Sequence, residues 1–199
     1  MTRRVVIIEN GGANTASLRH ALERLDVVPA MTASADLIRA ATHVILPGVG
    51  AARDAMVRLR AHGLDELIPR LTQPVLGICL GMQLLYEDSQ EGPARCLGAI
   101  PGAARRLDPV PGRPVPHMGW NRLMPLAASP LLHGIEPGER AYFVHSYALP
   151  VGSETVATTD YGELFSAAIA YRNFFGTQFH PERSARTGAR ILGNFLALN

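Results

Sequence analysis

One cysteine stands between two glycines, in a position that indicates a nucleophile. Cys79 is the middle residue of Gly77-Ile78-Cys79-Leu80-Gly81, after an apolar run and before a helical stretch. A sharp strand-to-helix turn needs residues without a Cβ on both sides, and it pushes the residue between them out of the sheet. The following helix directs its N–H groups and positive dipole end at the sulfur, which favours the thiolate. Most free cysteines are small buried apolar residues, so this interpretation depends on finding partner groups elsewhere in the chain.

A cysteine nucleophile needs a base, and one of the seven histidines has the context for it. His180 follows a predicted strand, 176–179, and precedes Pro181, which favours an extended conformation at His180. Residues i and i+2 of an extended segment can point the same way, so Glu182 can reach the imidazole and hold its tautomer. The result is a candidate nucleophile, base and carboxylate triad. An isolated His-x-Glu pattern is a weak signal, because it more often belongs to a surface strand.

Amide hydrolysis also needs donors for the developing oxyanion, and two loops can offer backbone N–H groups. The turn at the cysteine offers the amide of Leu80, and Pro47-Gly48-Val49-Gly50 forms a glycine-rich turn after another predicted strand. If the two strands are parallel, both loops emerge at the carboxyl edge of the sheet, where open α/β sheets place their sites. Taken alone, the second loop would be an ordinary strand-to-helix turn.

The elements that must position these groups alternate in the first half of the chain. Short apolar runs predict buried strands, and the segments between them have helical spacing. The predicted strands cover 5–8, 27–30, 43–46 and 75–78, and the predicted helices cover 14–25, 35–41, 51–61, 65–71 and 81–85. This alternation predicts an α/β fold with a mainly parallel central sheet flanked by helices on both faces.

The second half of the chain differs from the first in composition and in the pattern of its apolar residues. After Gly92 proline and glycine become frequent, and the apolar runs shorten and alternate. Residues 141–144 and 165–169 predict antiparallel strands, either added to the edge of the main sheet or forming a small flanking sheet. A closing helix is predicted from about Ser184. No linker, repeat or low-complexity segment interrupts the chain, so we expect one domain over residues 1–199.

Composition argues against several functional classes. Of the 199 residues 47% are hydrophobic and 18% charged, with a formal net charge of +2, which is typical of a globular protein without nucleic-acid binding. Cys79 and Cys96 have unlike surroundings and suggest no disulfide framework. Neither metal-ligand spacing nor a GxGxxG fingerprint appears, so we expect no metal and no cofactor. Without a secretory or membrane-length apolar segment, we expect a cytoplasmic protein.

Several motifs together resemble a known family. The stretches 77–83 and 178–182 are similar to the class I, triad-type glutamine amidotransferases. Within that class, further stretches resemble the glutaminase subunits of imidazole glycerol phosphate synthase, an enzyme of histidine biosynthesis. They are 46–50, 115–121, 142–147 and 157–182. The matches span nearly the whole chain in the family's order, and the stretch Pro-His-Met-Gly-Trp-Asn at 116–121 is the most specific of them.

The resemblance implies a reaction and assigns roles to further residues. Cys79 would attack the side-chain amide of glutamine, His180 would protonate the departing ammonia, and the glutamyl thioester would be hydrolysed to glutamate. The implied oxyanion hole lies at the backbone of Leu80, Val49 and Gly48. The implied glutamine-binding positions are Gly50, Gln83, His145, Ser146 and Tyr147.

The resemblance also implies a protein partner, a TIM-barrel cyclase subunit that docks on the glutaminase as a heterodimer. Ammonia in water at neutral pH is mostly ammonium, so it must reach the cyclase by a sealed path. The cyclase then makes imidazole glycerol phosphate and an aminoimidazole carboxamide ribotide. Without the cyclase, glutaminase activity is expected to be low, with a peptide rotation at Val49 as the switch. Candidate interface residues are Asn14, His117, Trp120, Asn121 and Arg183, although Trp120 could equally anchor the core.

Two alternatives stay open at the level of sequence. The triad would also serve a glutaminase that feeds another synthase, such as those for guanylate, anthranilate or pyridoxal phosphate, although 115–121 argues against them. The chain could instead be a catalytically silent amidotransferase domain that only binds a partner, which the intact triad argues against. Asn10 and Ala13 depart from the family's first glycine loop, and Arg183 stands where lysine is usual. These departures leave the triad untouched.

Overall fold

A large sheet organises the residues that the computed structural model describes, 3–11 and 15–199. The strands are β1 (Val5–Ile8), β2 (Ala30–Thr32), β3 (His43–Gly48), β4 (Val75–Cys79), β5 (Tyr86–Ser89), β6 (Ala94–Arg95), β7 (Ile100–Arg106), β8 (His117–Arg122), β9 (Met124–Pro125), β10 (Arg140–His145), β11 (Tyr147–Ala148), β12 (Thr155–Asp160), β13 (Leu164–Tyr171) and β14 (Phe174–Thr177). The helices are α1 (Thr15–Glu23), α2 (Ala35–Ala40), α3 (Ala52–Ala61), α4 (Leu64–Leu67), α5 (Leu80–Leu84) and α6 (Ala185–Leu196). Short 3₁₀ turns cover Ile68–Arg70, Pro130–Leu132 and Pro181–Arg183.

The main sheet has the strand order β2-β1-β3-β4-β14-β13-β12-β9. β1 to β4 and β14 are parallel, and β13, β12 and β9 add an antiparallel edge. Two smaller sheets accompany it, one formed by β8 and β10 and the other ordered β11-β7-β5-β6. The predicted fold class is confirmed. The antiparallel strands take both of the arrangements considered, since 165–169 lies in the edge of the main sheet and 141–144 in a small separate sheet.

The parallel strands are covered on both faces. In β1, Val5 and Ile7 contribute to the apolar layer that contains the buried side chains of α1 and α6, while Val6 and Ile8 contribute to the layer that contains those of α2 and α3. Because successive side chains of a strand point to opposite faces, a continuous run of apolar residues is what a doubly covered strand requires.

Element boundaries depart from the predictions at several points. The predicted strand 27–30 is displaced, because pairing with β1 starts only at Ala30, and Val28 is 83% exposed. The predicted helix 65–71 divides into α4 and the 3₁₀ turn Ile68–Arg70. The predicted helix start at Asn14 lies outside the described residues. In the described part of the chain, no helix combines the length and the apolar character that crossing a membrane would require.

Candidate active site

Cys79 ends β4 in a backbone conformation that residues other than glycine rarely adopt. Its φ is 54° and its ψ is −113°, and α5 begins at the next residue. Such a conformation costs on the order of 1–3 kcal/mol and persists where the surrounding structure holds it in place. The side chain is only 7% exposed and lines a pocket. The glycine spacing therefore produces the strained strand-to-helix turn that the sequence indicates.

Three glycines allow the backbones around the cysteine to approach each other. A Cβ on Gly81 would lie 1.8 Å from the carbonyl oxygen of Leu46, and a Cβ on Gly77 would lie 2.6 Å from the Cα of Met82. A Cβ on Gly48, in the neighbouring strand, would lie 2.7 Å from the backbone nitrogen of Gly81. Side chains at these positions would push β3, β4 and α5 apart, so the site depends on glycine for close packing.

His180 reaches the same sheet edge because β14 runs parallel to β4. Thr177 pairs with Ile78, so the chain after β14 continues beside Cys79. The backbone N–H of His180 donates to the carbonyl of Tyr142 at 2.9 Å, which fixes the residue against β10. Nδ1 of His180 lies 2.8 Å from Oε1 of Glu182, and both side chains are 9% exposed. The i and i+2 relation in the sequence thus becomes a buried hydrogen bond.

The other ring nitrogen of His180 is available for chemistry. Nε2 is buried and has no hydrogen-bond partner among the described residues, so its approach to the sulfur is longer or less aligned than a formed hydrogen bond. Such geometry is common in an active site before substrate binds. Burial lowers the pKa of His180, but its interactions with Cys79 and Glu182 outweigh burial and raise the pKa to about 10. The ring is therefore protonated at neutral pH, the form that pairs with a thiolate.

The pocket above the cysteine has a volume of about 410 Å³. Its lining includes the triad and all positions predicted for the oxyanion hole and for glutamine binding. These are Gly48, Val49, Gly50, Leu80, Gln83, His145, Ser146 and Tyr147. Gly48 pairs with Cys79 in the register of β3 and β4, so the two predicted oxyanion loops are adjacent at one sheet edge.

Two further side chains belong to this site and were not predicted. Nε2 of Gln178 donates to the sulfur of Cys79 at 3.7 Å. Glu91 lines the pocket, and its Oε2 accepts from the backbone N–H of Ala52 at 3.0 Å; burial is the main influence on its pKa, which is raised. Gln178 could have been predicted from the sequence, because it precedes His180 by two residues and alternate residues of an extended segment lie on the same side. Nothing local marks Glu91, because its place depends on α3 and β5 meeting.

The residues predicted for a partner interface fall into different environments. Trp120 is 50% exposed and meets the ring of Tyr142 edge-on, with 6.0 Å between ring centroids, so it does not anchor the core. The guanidinium of Arg183 lies over the same ring, 4.3 Å from its centroid. Asn121 is partly buried and donates to the carbonyl of Asp160 at 2.9 Å. Asn14 lies outside the described residues, as does Ala13 of the atypical loop.

The expectation that His117 contacts a partner needs correction. His117 is only 2% exposed, so it presents no surface to a second protein. It precedes Trp120 by three residues in β8, and an odd separation in a strand places two side chains on opposite faces. Tyr161 and Phe165 pack against the face of β8 that carries His117, whereas the face that carries Trp120 stays exposed.

Comparison with known proteins shows the class of enzyme to which the chain belongs. The family described as glutamine amidotransferase class-I matches residues 6–198, and the chain belongs to this family. The fold is that of a solved glutamine amidotransferase structure with a TM-score of 0.75 at 18% identity, where the match covers 96% of each chain.

Relatives of higher identity narrow the assignment. Imidazole glycerol phosphate synthase subunit HisH of Xylella fastidiosa (strain Temecula1) is 55% identical over 195 residues, which cover 98% of both proteins. The protein of the same name from Xanthomonas campestris pv. campestris (strain 8004) is 53% identical over the same coverage. The chain is thus a member of the HisH family of glutamine amidotransferase subunits. This membership counts against the alternative of a glutaminase for another synthase.

Proposed function

We propose that the chain hydrolyses L-glutamine to L-glutamate and ammonia through Cys79, His180 and Glu182, and that residues 1–199 form one domain. The ammonia passes to a TIM-barrel cyclase subunit, which makes imidazole glycerol phosphate and an aminoimidazole carboxamide ribotide in histidine biosynthesis. One observation carries the hydrolysis: a cysteine at a strained turn and a histidine whose Nδ1 lies 2.8 Å from a carboxylate oxygen line the same pocket. The similarity to HisH subunits over the whole chain supports the choice of synthase.

The residues act in two half-reactions. The Cys79 thiolate attacks the carboxamide carbon of glutamine, and the carbon–nitrogen bond breaks as His180 transfers its Nε2 proton to the departing nitrogen. Ammonia leaves and a glutamyl thioester remains. His180 then takes a proton from water, the hydroxide attacks the thioester carbonyl, and the carbon–sulfur bond breaks to restore the thiolate and release glutamate. The negative charge on the carbonyl oxygen in both steps is stabilised by the backbone amides of Leu80 and Val49.

Glu182 sets the pH range of the reaction, and its replacement gives a testable prediction. The carboxylate raises the pKa of His180, so Glu182→Gln should lower that pKa. Because the imidazolium must protonate the departing nitrogen, the alkaline limb of the kcat/KM profile should move to lower pH. We also expect kcat to fall by roughly 10²–10⁴-fold, since the ring loses its orienting group. Steady-state glutamate formation measured from about pH 6 to about pH 10 shows both effects. An alkaline limb that stays at the same pH would contradict the role assigned to Glu182.

Glu91 is our candidate partner for the α-ammonium group of glutamine. It supplies a partly buried carboxylate to the pocket, and its raised pKa reflects a burial cost that a bound cation would offset. Glu91→Gln removes the charge and keeps an oxygen that can accept from the Ala52 amide. We expect KM for glutamine to rise by roughly 10- to 100-fold with kcat nearly unchanged, as for the loss of one charged hydrogen bond. An unchanged KM in steady-state assays would contradict this role.

The outer face of the β8–β10 sheet is the proposed docking surface for the cyclase. It exposes Met118 at 63% and Trp120 at 50%, next to Tyr142 and Arg183. Exposed methionine and tryptophan beside an arginine are typical of interface centres. This surface lies close to the pocket, since Arg183 takes part in both. Asn121, which is partly buried, is proposed to lie at the edge of this docking surface. Asn14 is also proposed as an interface residue, and it lies outside the described residues.

The decisive experiment combines the purified full chain with the cyclase subunit and its nucleotide ligand, and follows glutamate formation. We expect low activity for the chain alone and an increase on the order of 10²–10³-fold in the complex. This is the change in kcat that one oxyanion-hole donor contributes, here the backbone N–H of Val49. Equal turnover with and without the cyclase would contradict the coupling. Glutamate formation that is absent in both samples would instead favour a silent domain.

A further inference from the structure

Two histidines outside the catalytic triad form a buried pair at the wall of the pocket. His117 on β8 and His145 on β10 are opposite each other in the sheet register, and they are 2% and 6% exposed. Nδ1 of His117 lies 3.1 Å from Nε2 of His145. The His117 ring is stacked between Phe143 and Tyr161, with ring centroids 4.9 and 3.9 Å away. The pair is therefore held rigidly by its surroundings.

The partners of His145 determine where its proton lies. Nδ1 of His145 is 2.8 Å from the carbonyl oxygen of Tyr147, which can only accept, so this nitrogen carries a proton. Burial lowers the pKa of His117 to about 4 and is the main cause that lowers the pKa of His145 to about 3, so both rings are neutral. Nε2 of a neutral His145 protonated on Nδ1 must accept. The proton between the two rings therefore belongs to Nδ1 of His117.

The second nitrogen of His117 meets a donor whose orientation is set independently. Nε2 of His117 lies 3.3 Å from Nδ2 of Asn121. That amide nitrogen also donates to the carbonyl of Asp160 at 2.9 Å, and Oδ1 of Asn121 accepts from the backbone N–H of Arg122 at 2.8 Å. The amide must therefore present its nitrogen to the ring. Asn121, His117, His145 and the Tyr147 carbonyl thus form a hydrogen-bonded series in which each shared proton has one consistent position.

The series ends on a carbonyl that also orients the groups around the nucleophile. The Tyr147 carbonyl accepts from Nε2 of Gln83 at 2.8 Å, and the same Nε2 donates to Oε1 of Gln178 at 2.9 Å. With its oxygen engaged in this way, Gln178 keeps its nitrogen towards the sulfur of Cys79, 3.7 Å away. Movement of this carbonyl would therefore change the wall of the glutamine pocket and the donor to the sulfur together.

We propose that His117 and His145 are positioning residues for glutamine hydrolysis. His117 fixes the tautomer of His145, so that His145 holds the Tyr147 carbonyl in place. That carbonyl orients the Gln83 amide, which in turn directs the Gln178 donor to the sulfur. This inference rests on the proposed function and adds a hydrogen-bonded path from Asn121, at the edge of the proposed docking surface, to the nucleophile.

The same hydrogen bonds keep His145 out of proton transfer. The ring lines the pocket, and burial is the main cause that lowers its pKa to about 3. Both nitrogens of His145 are engaged, one with the Tyr147 carbonyl and one with His117. Neither is free to take a proton from the cysteine, so of the two histidines that line the pocket among the described residues, His180 serves as the base.

Substitution of His117 tests the proposal in the full chain. His117→Leu leaves Nε2 of His145 without a donor, and we expect kcat/KM for glutamine to fall by roughly 10- to 100-fold, with the larger part in KM. His117→Asn places an amide nitrogen near the position of Nδ1 and should recover most of the loss. Wild-type kcat/KM in His117→Leu, or no recovery in His117→Asn when both variants fold, would overturn the proposal.

His43→Leu is the matched control for stability. His43 is 4% exposed and bonds the Leu198 carbonyl at 3.1 Å, but it begins β3, at the end of that strand far from Gly48 and the pocket. Its replacement should lower the melting temperature without changing kcat or KM. A kinetic loss in His43→Leu equal to that in His117→Leu would show a general effect of destabilisation and would contradict a positioning role.

NMR of the unmodified chain with ¹⁵N-labelled histidine tests the proton positions without any substitution. We expect the Nδ1–H tautomer for both His117 and His145, and no titration of either ring above about pH 5, given their pKa values of about 4 and about 3. An Nε2–H tautomer on either ring would overturn the proposal even if the variants fail to fold. Failure of the proposed function is distinguishable, because the unmodified chain with the cyclase would then form no glutamate, or Cys79→Ala would form it at the same rate.

Discussion

Replacement of Cys79 by alanine is expected to lower glutamate formation by roughly 10⁴- to 10⁶-fold, the scale seen when a nucleophile that works with a base is removed. The reason is chemical, since no other group in the pocket can form the thioester. The variant should still fold, because alanine keeps the Cβ and the buried volume lost is one sulfur atom. Glutamate release in the presence of the cyclase subunit and its ligand measures the effect, and circular dichroism checks the fold.

The second cysteine supplies the control for this prediction. Cys96 lies outside the pocket, and burial, followed by the charge of Asp88, raises the pKa of its thiol to about 11. A thiol that stays protonated at neutral pH is a poor nucleophile. Cys96→Ala should therefore retain the activity of the parent chain. Comparable losses in Cys79→Ala and Cys96→Ala, or a fully active Cys79→Ala, would contradict the proposed mechanism.

Gly81→Ala is expected to lower the free energy of unfolding by about 4 kcal/mol or more, which places it among the severe single substitutions. The new Cβ would lie 1.8 Å from the carbonyl oxygen of Leu46 and 2.8 Å from its carbonyl carbon. These are backbone atoms of β3, which cannot rotate away as a side chain would. The strand and α5 must separate instead, and the loop from Pro47 to Gly50 moves with the strand.

Thermal unfolding measures this effect, with a matched glycine in the closing helix as control. A chain of this length loses roughly 2–4 °C in melting temperature per kcal/mol, so Gly81→Ala should melt about 10 °C lower or more. Apart from its chain neighbours and the backbone of its own helix, no atom of the described residues lies within 4 Å of a Cβ placed on Gly193 in α6. Gly193→Ala should be neutral or stabilising by up to about 1 kcal/mol, because alanine favours the helix. A melting temperature of Gly81→Ala equal to that of Gly193→Ala would contradict the packing argument.

The part of the site that could be read from the sequence is the part encoded by neighbours in the chain. The strand-to-helix turn at Cys79 follows from its flanking glycines, and the pairing of His180 with Glu182 follows from their i and i+2 spacing. The mainly parallel sheet follows from the alternation of apolar runs with helical spacing. Each of these depends on backbone geometry over a few residues, which composition and spacing specify directly.

Tertiary structure decided what depends on segments that are distant in the chain. His117 is buried because Tyr161 and Phe165 cover its face of the β8–β10 sheet, and no local signal tells which face of a two-stranded sheet is covered. Glu91 enters the pocket because its loop meets the start of α3, where it binds the Ala52 amide. The need for glycine at position 81 comes from a strand thirty-five residues earlier, at Leu46. Such contacts follow from the packing of whole elements, whereas the sequence pattern specifies the elements themselves.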